Sequence, residues 1–572
     1  MKELYFFSDY LKGRYGKALY RVPVSLPLSC PHRDKNSGKG CIFCADDGAK
    51  ARHLKNHFDL KKQISTGIEY VQNRYKAEPP YIAYLQAFTN TNAPVKKLRE
   101  LYSEVLGYAD FKVLIISTRP DCLPPETMDY LRELNEEYDL WVELGVQSTN
   151  DKTLEFINRQ HDFACVKEAV EKLDKAGIKS VCHVILGLPG ETAEDFQYTA
   201  KEVSALPFSA IKIHNLLVLK NTPLAKIYAN QPFEVLNEYE YADILADFIR
   251  ELPDNWPLMR ITADADEQEI IAPKWWMKKG QFLEYFKEKF EKNENGAFPG
   301  VKTNDGSYTF YHPEYRQNFH TISGARTEAE EKFINPCKIP ELLQNQETTS
   351  VLDIGFGLGY NALAVIDEAK NIQSGNVKIV SLEKDNKTLE AAQSIFSMNS
   401  REYKIIQNLL KKGSWQGDYA SISIHFDDAR KAIKNIKRQF DVIFLDAFSP
   451  DKNPELWSYD FIRELASRLL PEGIIATYSS AYPVRGAMFR CGLQVGETSA
   501  FGRKRGGTVA SYSTEKIIHP LTEKEKGIIL KSTAGLPYRD PGLILTRKKI
   551  TDLRKKTMLR LRQHGVPRWY KP

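Results

Sequence analysis

Three of the chain's eight cysteines, Cys30, Cys41 and Cys44, fall within fifteen positions of a 572-residue sequence. Thiolates this close together bind soft metals. Cys41-Ile-Phe-Cys44 alone fits a zinc half-site, a redox pair or chance. Cys30 stands before it, across a loop rich in glycine and lysine (PHRDKNSGKG) that is able to wrap a metal. No fourth cysteine follows nearby, so a closed tetrahedral zinc site lacks ligands unless His32 supplies one. Three thiolates suit a four-iron cluster with one iron open to a small chelating molecule. The other cysteines (Cys122, Cys165, Cys182, Cys337 and Cys491) stand alone and read as small buried hydrophobes.

A second set of residues lies far downstream. Asp353-Ile-Gly355-Phe-Gly357-Leu-Gly359 follows an apolar run and opens a helical pattern. Glycines there let the chain turn tightly and bring backbone against a ligand. A plain strand-to-helix turn has the same appearance, so two further acids carry weight. Glu383 closes the next strand pattern, where a carboxylate grips the two hydroxyls of a ribose, and Asp428 closes another, where an acid holds an adenine amino group. Nicotinamide dinucleotide is the competing ligand, but Asp353 ahead of the first glycine and the short turn favour S-adenosylmethionine. Asp446 ends the strand pattern FDVIFLDAF and is placed to handle a proton or an amine.

These residues need strands and helices to hold them. YIAYLQAF, VLIIST, LWVELGV, SVCHVILG and AIKIHNLLVL read as buried strands, and DKTLEFINRQ and CVKEAVEKLDKAG as helices between them. That alternation predicts a parallel sheet, open or curled into a barrel. Positions 143, 145 and 147 share one face of their strand, so Glu143, Gly145 and Gln147 are expected to point into the barrel. A polar turn-rich seam at 291–300, EKNENGAFPG, precedes a second pattern in which SVLDIGFG, VKIVSLEKD, FDVIFLDAF and GIIATYSS are strands and YNALAVIDEAK a helix. Two α/β domains in tandem follow.

Composition narrows the class. A chain of 572 residues exceeds a single core, and 42% hydrophobic with 27% charged residues describes a globular protein. The N-terminal stretch mixes charge with its aromatic residues, so neither a signal peptide nor a membrane span is expected, and a cytoplasmic location follows. The net charge of +6 is unevenly placed: between Arg547 and Lys571 ten basic residues face Asp552 alone, with Trp569 and Tyr570 among them. Such an end reads as a solvated tail or as a surface for a phosphate-rich partner.

With these residues in view, the first half resembles the radical S-adenosylmethionine superfamily, in the branch containing YhcC, YtqA and the Elongator catalytic subunit. The resemblance rests on FSDYLKGRYG, CPHRD…GCIFC, YLQAFTNTNAP, STRPDCL, VELGVQS and HVILGLPGET. The superfamily usually has three residues between its first two cysteines, and this branch has the longer loop. The resemblance implies that Cys30, Cys41 and Cys44 hold a [4Fe–4S] cluster chelating S-adenosylmethionine, whose reductive cleavage yields a 5′-deoxyadenosyl radical. It places Gln86, Thr89, Glu143 and Gln147 toward the cofactor or substrate. It also implies an electron donor such as flavodoxin or ferredoxin.

The second half resembles the methyltransferase part of bifunctional MnmC, through FDVIFLDAFSPDKNPELW, ATYSSAYPVRGAMFRCG, FGRKRG, VKTNDGSYTFYHPEYRQNFHTISGA and LPYRDPGL. That family methylates the amine of 5-aminomethyluridine at the tRNA wobble position. The resemblance implies S-adenosylmethionine at Asp353, Gly355, Gly357, Gly359, Glu383 and Asp428, with Asp446 orienting the amine or taking its proton. It implies a uridine pocket walled by Phe448 and Pro450, and Arg503, Lys504 and Arg505 on the phosphates of an anticodon stem-loop. The expected architecture is a partial (β/α) barrel at 1–292, a linker at 293–300, a Rossmann-like class I methyltransferase domain at 301–545 and a basic tail at 546–572. MnmC pairs its methyltransferase with a flavin oxidase that removes a carboxymethyl group. No second dinucleotide fold stands here, and the radical domain is read as taking that role. A different tRNA modification, or a metal-stabilised tRNA-binding module, stays open for the first half.

Overall fold

The computed structural model describes residues 2–33, 40–45, 59–292, 300–502 and 505–570. The chain forms two compact units, Met1–Phe290 and Glu291–Pro572.

The first unit is built on β1 (Arg21–Val24), β2 (Tyr81–Leu85), β3 (Phe111–Thr118), β4 (Asp139–Gln147), β5 (Lys179–Leu186), β6 (Ala210–Asn215), a short β7 (Val218–Leu219), β8 (Leu258–Arg260) and β9 (Ile270–Ala272). Seven of these form one sheet in the order β1-β2-β3-β4-β5-β6-β8, with every pairing parallel, while β7 and β9 pair antiparallel beside it. The sheet curves into a half-barrel with β1 and β8 at its open edges. Helices such as Val95–Leu106, Pro125–Glu137 and Phe163–Lys175 supply the crossovers that parallel pairing requires. Strand β4 is buried at all nine positions, which is why LWVELGV reads as a continuous apolar run. β1 was not legible in advance. It is four residues long and contains Pro23, which a sheet accepts only where one strand edge is unpaired.

The second unit opens with two small hairpins, β10 (Val301–Lys302) with β11 (Tyr308–Thr309) and β12 (Tyr311–His312) with β13 (Gln317–Asn318). Its main sheet comprises β14 (Thr348–Ile354), β15 (Asn376–Glu383), β16 (Ser414–Gln416), β17 (Ala420–Phe426), β18 (Phe440–Leu445), β19 (Leu469–Thr477), β20 (Gln494–Glu497) and β21 (Thr508–Ser511). The strand order is β16-β17-β15-β14-β18-β19-β21-β20. The five central strands run parallel, and β16, β20 and β21 pair antiparallel at the edges. Side chains alternate across β14, so Val351 joins one core with Val365 and Phe444, and Leu352 joins the opposite core with Ile443 and Phe461. Central β14 has β15 on one flank and β18 on the other. This reversal of strand order opens a crevice at the strands' carboxyl ends.

The basic C-terminal segment is part of this unit and not a free tail. Residues Arg547–Gln563 form a helix capped by Thr546, with Ile550 fully buried. Arg554 donates to the Leu536 carbonyl at 2.7 Å and Arg562 to Thr533 at 3.1 Å. Lys548, Lys549, Lys555, Lys556 and Arg560 face solvent.

Replacing Ile550 with Ala is expected to cost about 2–4 kcal/mol through the cavity it leaves. Hydrogen exchange should show the amides of 551–563 losing protection.

Candidate functional site

Both units gather their chemistry at the carboxyl edge of a parallel sheet. In the first, β1 leads into the cysteine loop and β2 into the segment Gln86–Thr91. Thr89, fully buried, donates its hydroxyl to Cys30 Sγ at 3.2 Å. Asn90 locks this turn by donating to the carbonyls of Leu85, Ala87 and Ser117, which holds Ala87 and Phe88 at positive φ. Arg159 donates to Cys41 Sγ at 3.3 Å and to the Gly145 carbonyl at 2.5 Å, so one guanidinium joins the cysteine loop to the end of β4. Arg119 in turn holds the Arg159 carbonyl at 2.7 Å and pairs with Asp121 at 2.8 Å.

The thiols differ in consequence. Burial would raise Cys41, but the Arg159 charge and hydrogen bonds from His32 and Arg159 outweigh it and bring the thiol down to about 6. Burial pushes Cys30 up against the Thr89 hydrogen bond, and burial together with the charges of Cys41 and Cys30 pushes Cys44 up to about 12. Such thiols deprotonate when a metal takes them.

Gln147 lies beside this loop at φ 70°, after a register shift between Gly145 and Gln147. A Cβ at Gly145 would meet Gln147 Nε2 at 2.8 Å, so the glycine is what lets the glutamine fold back over the strand. Gln147 Oε1 is buried without a hydrogen-bond partner among the described residues. Glu143 sits in a closed network instead. It accepts from Lys212 at 2.7 Å, Tyr84 at 3.0 Å and Ser117 at 3.1 Å. Burial opposes its charge, yet Lys212 and His183 lower its carboxyl to about 2. Gln86 lines a cavity of about 930 Å³ within the half-barrel.

In the second unit a cavity of about 170 Å³ lies at the crevice beside β14. Gly355, Gly357, Glu383, Asp428, Asp446 and Phe448 all line it. Gly355 is at φ 86°, and a Cβ there would stand 2.6 Å from the Asp446 carbonyl oxygen, so the glycine turn and the tip of β18 meet only because no side chain intervenes. Glu383 accepts the Gly357 amide at 3.0 Å and is raised by burial. Asp353 lies behind the turn, bonded to Ser381 at 2.9 Å, and burial raises it to about 7; its Oδ1 has no partner among the described residues. Gly359, at φ 85°, begins the helix Tyr360–Ile372. Asp428 caps the helix Ala429–Asn435 and is held by Arg430 at 2.7 Å. Asn361 donates to Asp446 Oδ2 at 2.7 Å and so orients the carboxylate.

One residue expected on the pocket wall lies off it. Pro450 is half-buried in the loop after β18 but does not line the cavity. Arg505, expected on anticodon phosphates, packs over Tyr482 at 5.7 Å, while Arg503 and Lys504 lie outside the described residues. Sequence reasoning missed Arg159 and Arg119, whose partners are remote in sequence. It also missed an aromatic cage. Tyr315 stacks on Phe448 with ring centroids 4.3 Å apart, and His312 and Phe319 each approach Phe448 at 5.1 Å. Three aromatic rings within HPEYRQNF were the available signal. Arg547 covers the outer face of Tyr315 at 4.7 Å and pairs with Glu314 at 3.2 Å.

The donors fit the groups such sites take. Among the described residues no three His, Cys, Asp or Glu side chains converge on a single-ion position. The three loop cysteines, each within electrostatic reach of the others, are a donor set for a larger soft cluster. The glycine cradle and Glu383 suit a nucleoside cofactor in the second unit, and Asp353, buried behind the turn, does not line the cavity.

Comparison with known proteins agrees with this geometry. Residues 29–203 match the radical SAM superfamily, 208–292 the radical SAM C-terminal domain, and 390–513 an S-adenosyl-L-methionine-dependent methyltransferase family. YtqA of Bacillus subtilis is 37% identical over 300 residues, covering 52% of this chain and 92% of that protein. The chain therefore belongs to the radical SAM superfamily. The tRNA 5-methylaminomethyl-2-thiouridine biosynthesis bifunctional protein MnmC of Paraburkholderia xenovorans is 26% identical over 231 residues, covering 38% of this chain and 35% of that protein. The crystal structure of MNMC2 from Aquifex aeolicus matches at 28% identity and a TM-score of 0.40, covering 50% of this chain and 93% of that one. The protein is thus an enzyme that fuses a radical SAM domain to a methyltransferase domain resembling MnmC, with S-adenosylmethionine used by both. No helix among the described residues is long and apolar enough to cross a membrane.

Lys212→Met leaves Glu143 buried without its cation, and a loss of roughly 3–5 kcal/mol is expected for such a broken pair. Because the Glu143 carboxyl is depressed from 4.5 to about 2, its contribution is full above pH 4.5 and lost as pH falls toward 2. Thermal unfolding followed against pH should show wild type losing that increment on acidification and the variant lacking it throughout.

Proposed function

We propose that this enzyme modifies the wobble uridine of tRNA in two successive steps, one in each domain. The observation that carries the reading is the second unit's cavity. There an oriented carboxylate, Asp446, stands between a glycine cradle and an aromatic cage.

In the methyl-transfer step the substrate is the primary amine of 5-aminomethyluridine, with or without 2-thiolation, and the product is its methylamino form. An amine attacks a sulfonium methyl only when uncharged. Asp446, fixed by Asn361, accepts the amine's proton or orients its lone pair. Phe448 and His312 offer aromatic surface against which a pyrimidine packs, while Tyr315, stacked on Phe448 and covered by Arg547, backs that wall. The cradle and cage together hold the amine in line with the methyl group, and positioning of this kind supplies much of the acceleration.

The radical domain is assigned the preceding step, conversion of 5-carboxymethylaminomethyluridine to the aminomethyl form. Cys30, Cys41 and Cys44 would hold a [4Fe–4S] cluster, which with S-adenosylmethionine supplies a radical able to take a hydrogen atom from carbon. The hydrogen comes from the methylene between the amine and the carboxylate. Loss of one further electron to an iron–sulfur-class acceptor gives an imine, and water cleaves it to the primary amine and a two-carbon aldehyde acid. The product of one site is then the substrate of the other. A ferredoxin- or flavodoxin-like donor would start the cycle.

The tRNA itself fits the C-terminal helix. Its solvent face carries Lys548, Lys549, Lys555, Lys556 and Arg560, and its first residue, Arg547, touches the aromatic cage. The helix would extend about 25 Å from the cavity rim at ~1.5 Å per residue, a track for RNA phosphates.

Asp446→Ala is expected to accumulate aminomethyluridine, and Cys41→Ala to block the first step while still methylating tRNA that already carries the amine. Mass spectrometry of wobble nucleosides reads both, and unconverted carboxymethylaminomethyl tRNA with reconstituted wild type would sink the radical assignment. Reversing Lys548, Lys549, Lys555 and Lys556 to Glu should weaken tRNA binding and flatten its salt dependence by about one unit of log–log slope per lost phosphate contact. An unchanged slope counts against the helix as the RNA track.

A further inference from the structure

The cavity inside the half-barrel has a charged floor that the reaction as described does not use. Along the line of β2, Ile82, Tyr84 and Gln86 face the same cavity, which spans about 13 Å of extended chain at ~3.3 Å per residue. At one end Gln86 and Ala45 adjoin the cysteine loop. At the other, Arg21, paired in register with Ile82, stands near Arg260 of β8.

These two guanidiniums are poorly compensated. Arg21 lies over the rings of Phe7 and Tyr84 at 5.4 and 5.8 Å, and its hydrogen bonds are contacts of 3.4 Å to the Met259 carbonyl. Burial and the neighbouring Arg260 charge both lower it. Neither arginine has an ion-pair partner among the described residues. The same cavity is also lined by Asp264, Asp266 and Glu269, against Lys12, Arg21, Arg74, Arg260 and Lys279, so its cations outnumber its acids. Asp264 pairs with Lys279 at 3.8 Å, Asp266 accepts the Gln268 amide at 3.0 Å, and Glu143 is held by Lys212 at 2.7 Å. Like charges on a cavity wall where cations outnumber acids are unfavourable, and an added anion offsets them. A pair of planar guanidiniums is the arrangement that grips a carboxylate through parallel hydrogen bonds. The mouth is aromatic: Tyr20 stacks on Tyr75 at 5.0 Å, and Arg74 covers Tyr75 at 5.4 Å. A base resting there would direct an acidic side arm inward.

We propose that Arg21 and Arg260 anchor a carboxylate on the substrate of the radical domain. This rests on the radical-step reading above and names the group by which that site selects its substrate. It also gives the order of the two steps a physical basis, since the aminomethyl product has no carboxylate and is released.

The test is calorimetric titration of the full chain, as isolated, with 5-carboxymethylaminomethyluridine, its carboxamide analogue and inorganic phosphate. Wild type should bind the acid about tenfold to a hundredfold more tightly than the amide, as expected for a charged hydrogen-bond partner. Arg260→Gln should erase that preference with its far-ultraviolet circular dichroism unchanged, and Arg21→Gln provides an independent variant should the first fail to fold. Equal binding of acid and amide by wild type, or an intact preference in a folded variant, overturns the proposal. So does phosphate that displaces the acid at equal concentration, since the site would then read phosphate. If the preference behaves as expected but the reconstituted enzyme leaves carboxymethylaminomethyl tRNA unconverted, the anchor stands and the radical reaction falls. If conversion proceeds without the preference, the anchor alone falls.

Discussion

Parallel pairing delivers every strand's carboxyl end to one edge of a sheet, and this constraint places the chemistry in both domains. In the half-barrel it sets the loop after β1, the turn after β2 and the end of β4 side by side, so that Thr89 reaches Cys30 and Arg159 ties Cys41 to Gly145. In the second sheet it sets the ends of β14, β15 and β18 together, where Gly355 meets the Asp446 backbone and Glu383 takes the Gly357 amide. The crevice exists because β15 and β18 leave β14 in opposite directions.

Charge is distributed by the same logic. Inside the half-barrel, Glu143, Lys212, Tyr84 and Ser117 come from four different strands and satisfy one another, which stiffens the barrel wall. In the second unit Asp540, fully buried, is held by Arg430, which also pairs with Asp428 at the cavity and donates to the Leu545 carbonyl. The long C-terminal sequence is thereby linked to the floor of the site. Arg21 and Arg260, without ion-pair partners among the described residues, line open volume, and Arg21 is held by the Met259 carbonyl and the rings of Phe7 and Tyr84. Charges left unpaired beside a cavity are where a ligand contributes most to both binding and stability.

Each domain has its own core, so each chemistry has its own scaffold. The aromatic cage of the second unit is carried by hairpins that precede the sheet, and it is closed from behind by Arg547 near the chain's other end. Sequence segments more than two hundred residues apart therefore shape one wall of one cavity. The pairing Arg547–Glu314 illustrates why such a wall has no local signature.

Cys30, Cys41 and Cys44 in one loop, the glycine run from Gly355 to Gly359 and the apolar strand patterns are local features, and they determined the two α/β units and the turns proposed to hold ligands. Local spacing works there because a turn and the strand it follows are covalently continuous. Tertiary structure alone decided the rest. It brought Arg159 to Cys41, folded Gln147 back over Gly145, assembled His312, Tyr315 and Phe319 around Phe448, and recruited the basic C-terminal helix into the second unit. It also left Pro450 off the cavity wall, where motif position had placed it. The physical reason is common to all of these. A side chain's partner is set by strand order and packing, and residues distant along the chain carry no periodicity or spacing that announces their meeting.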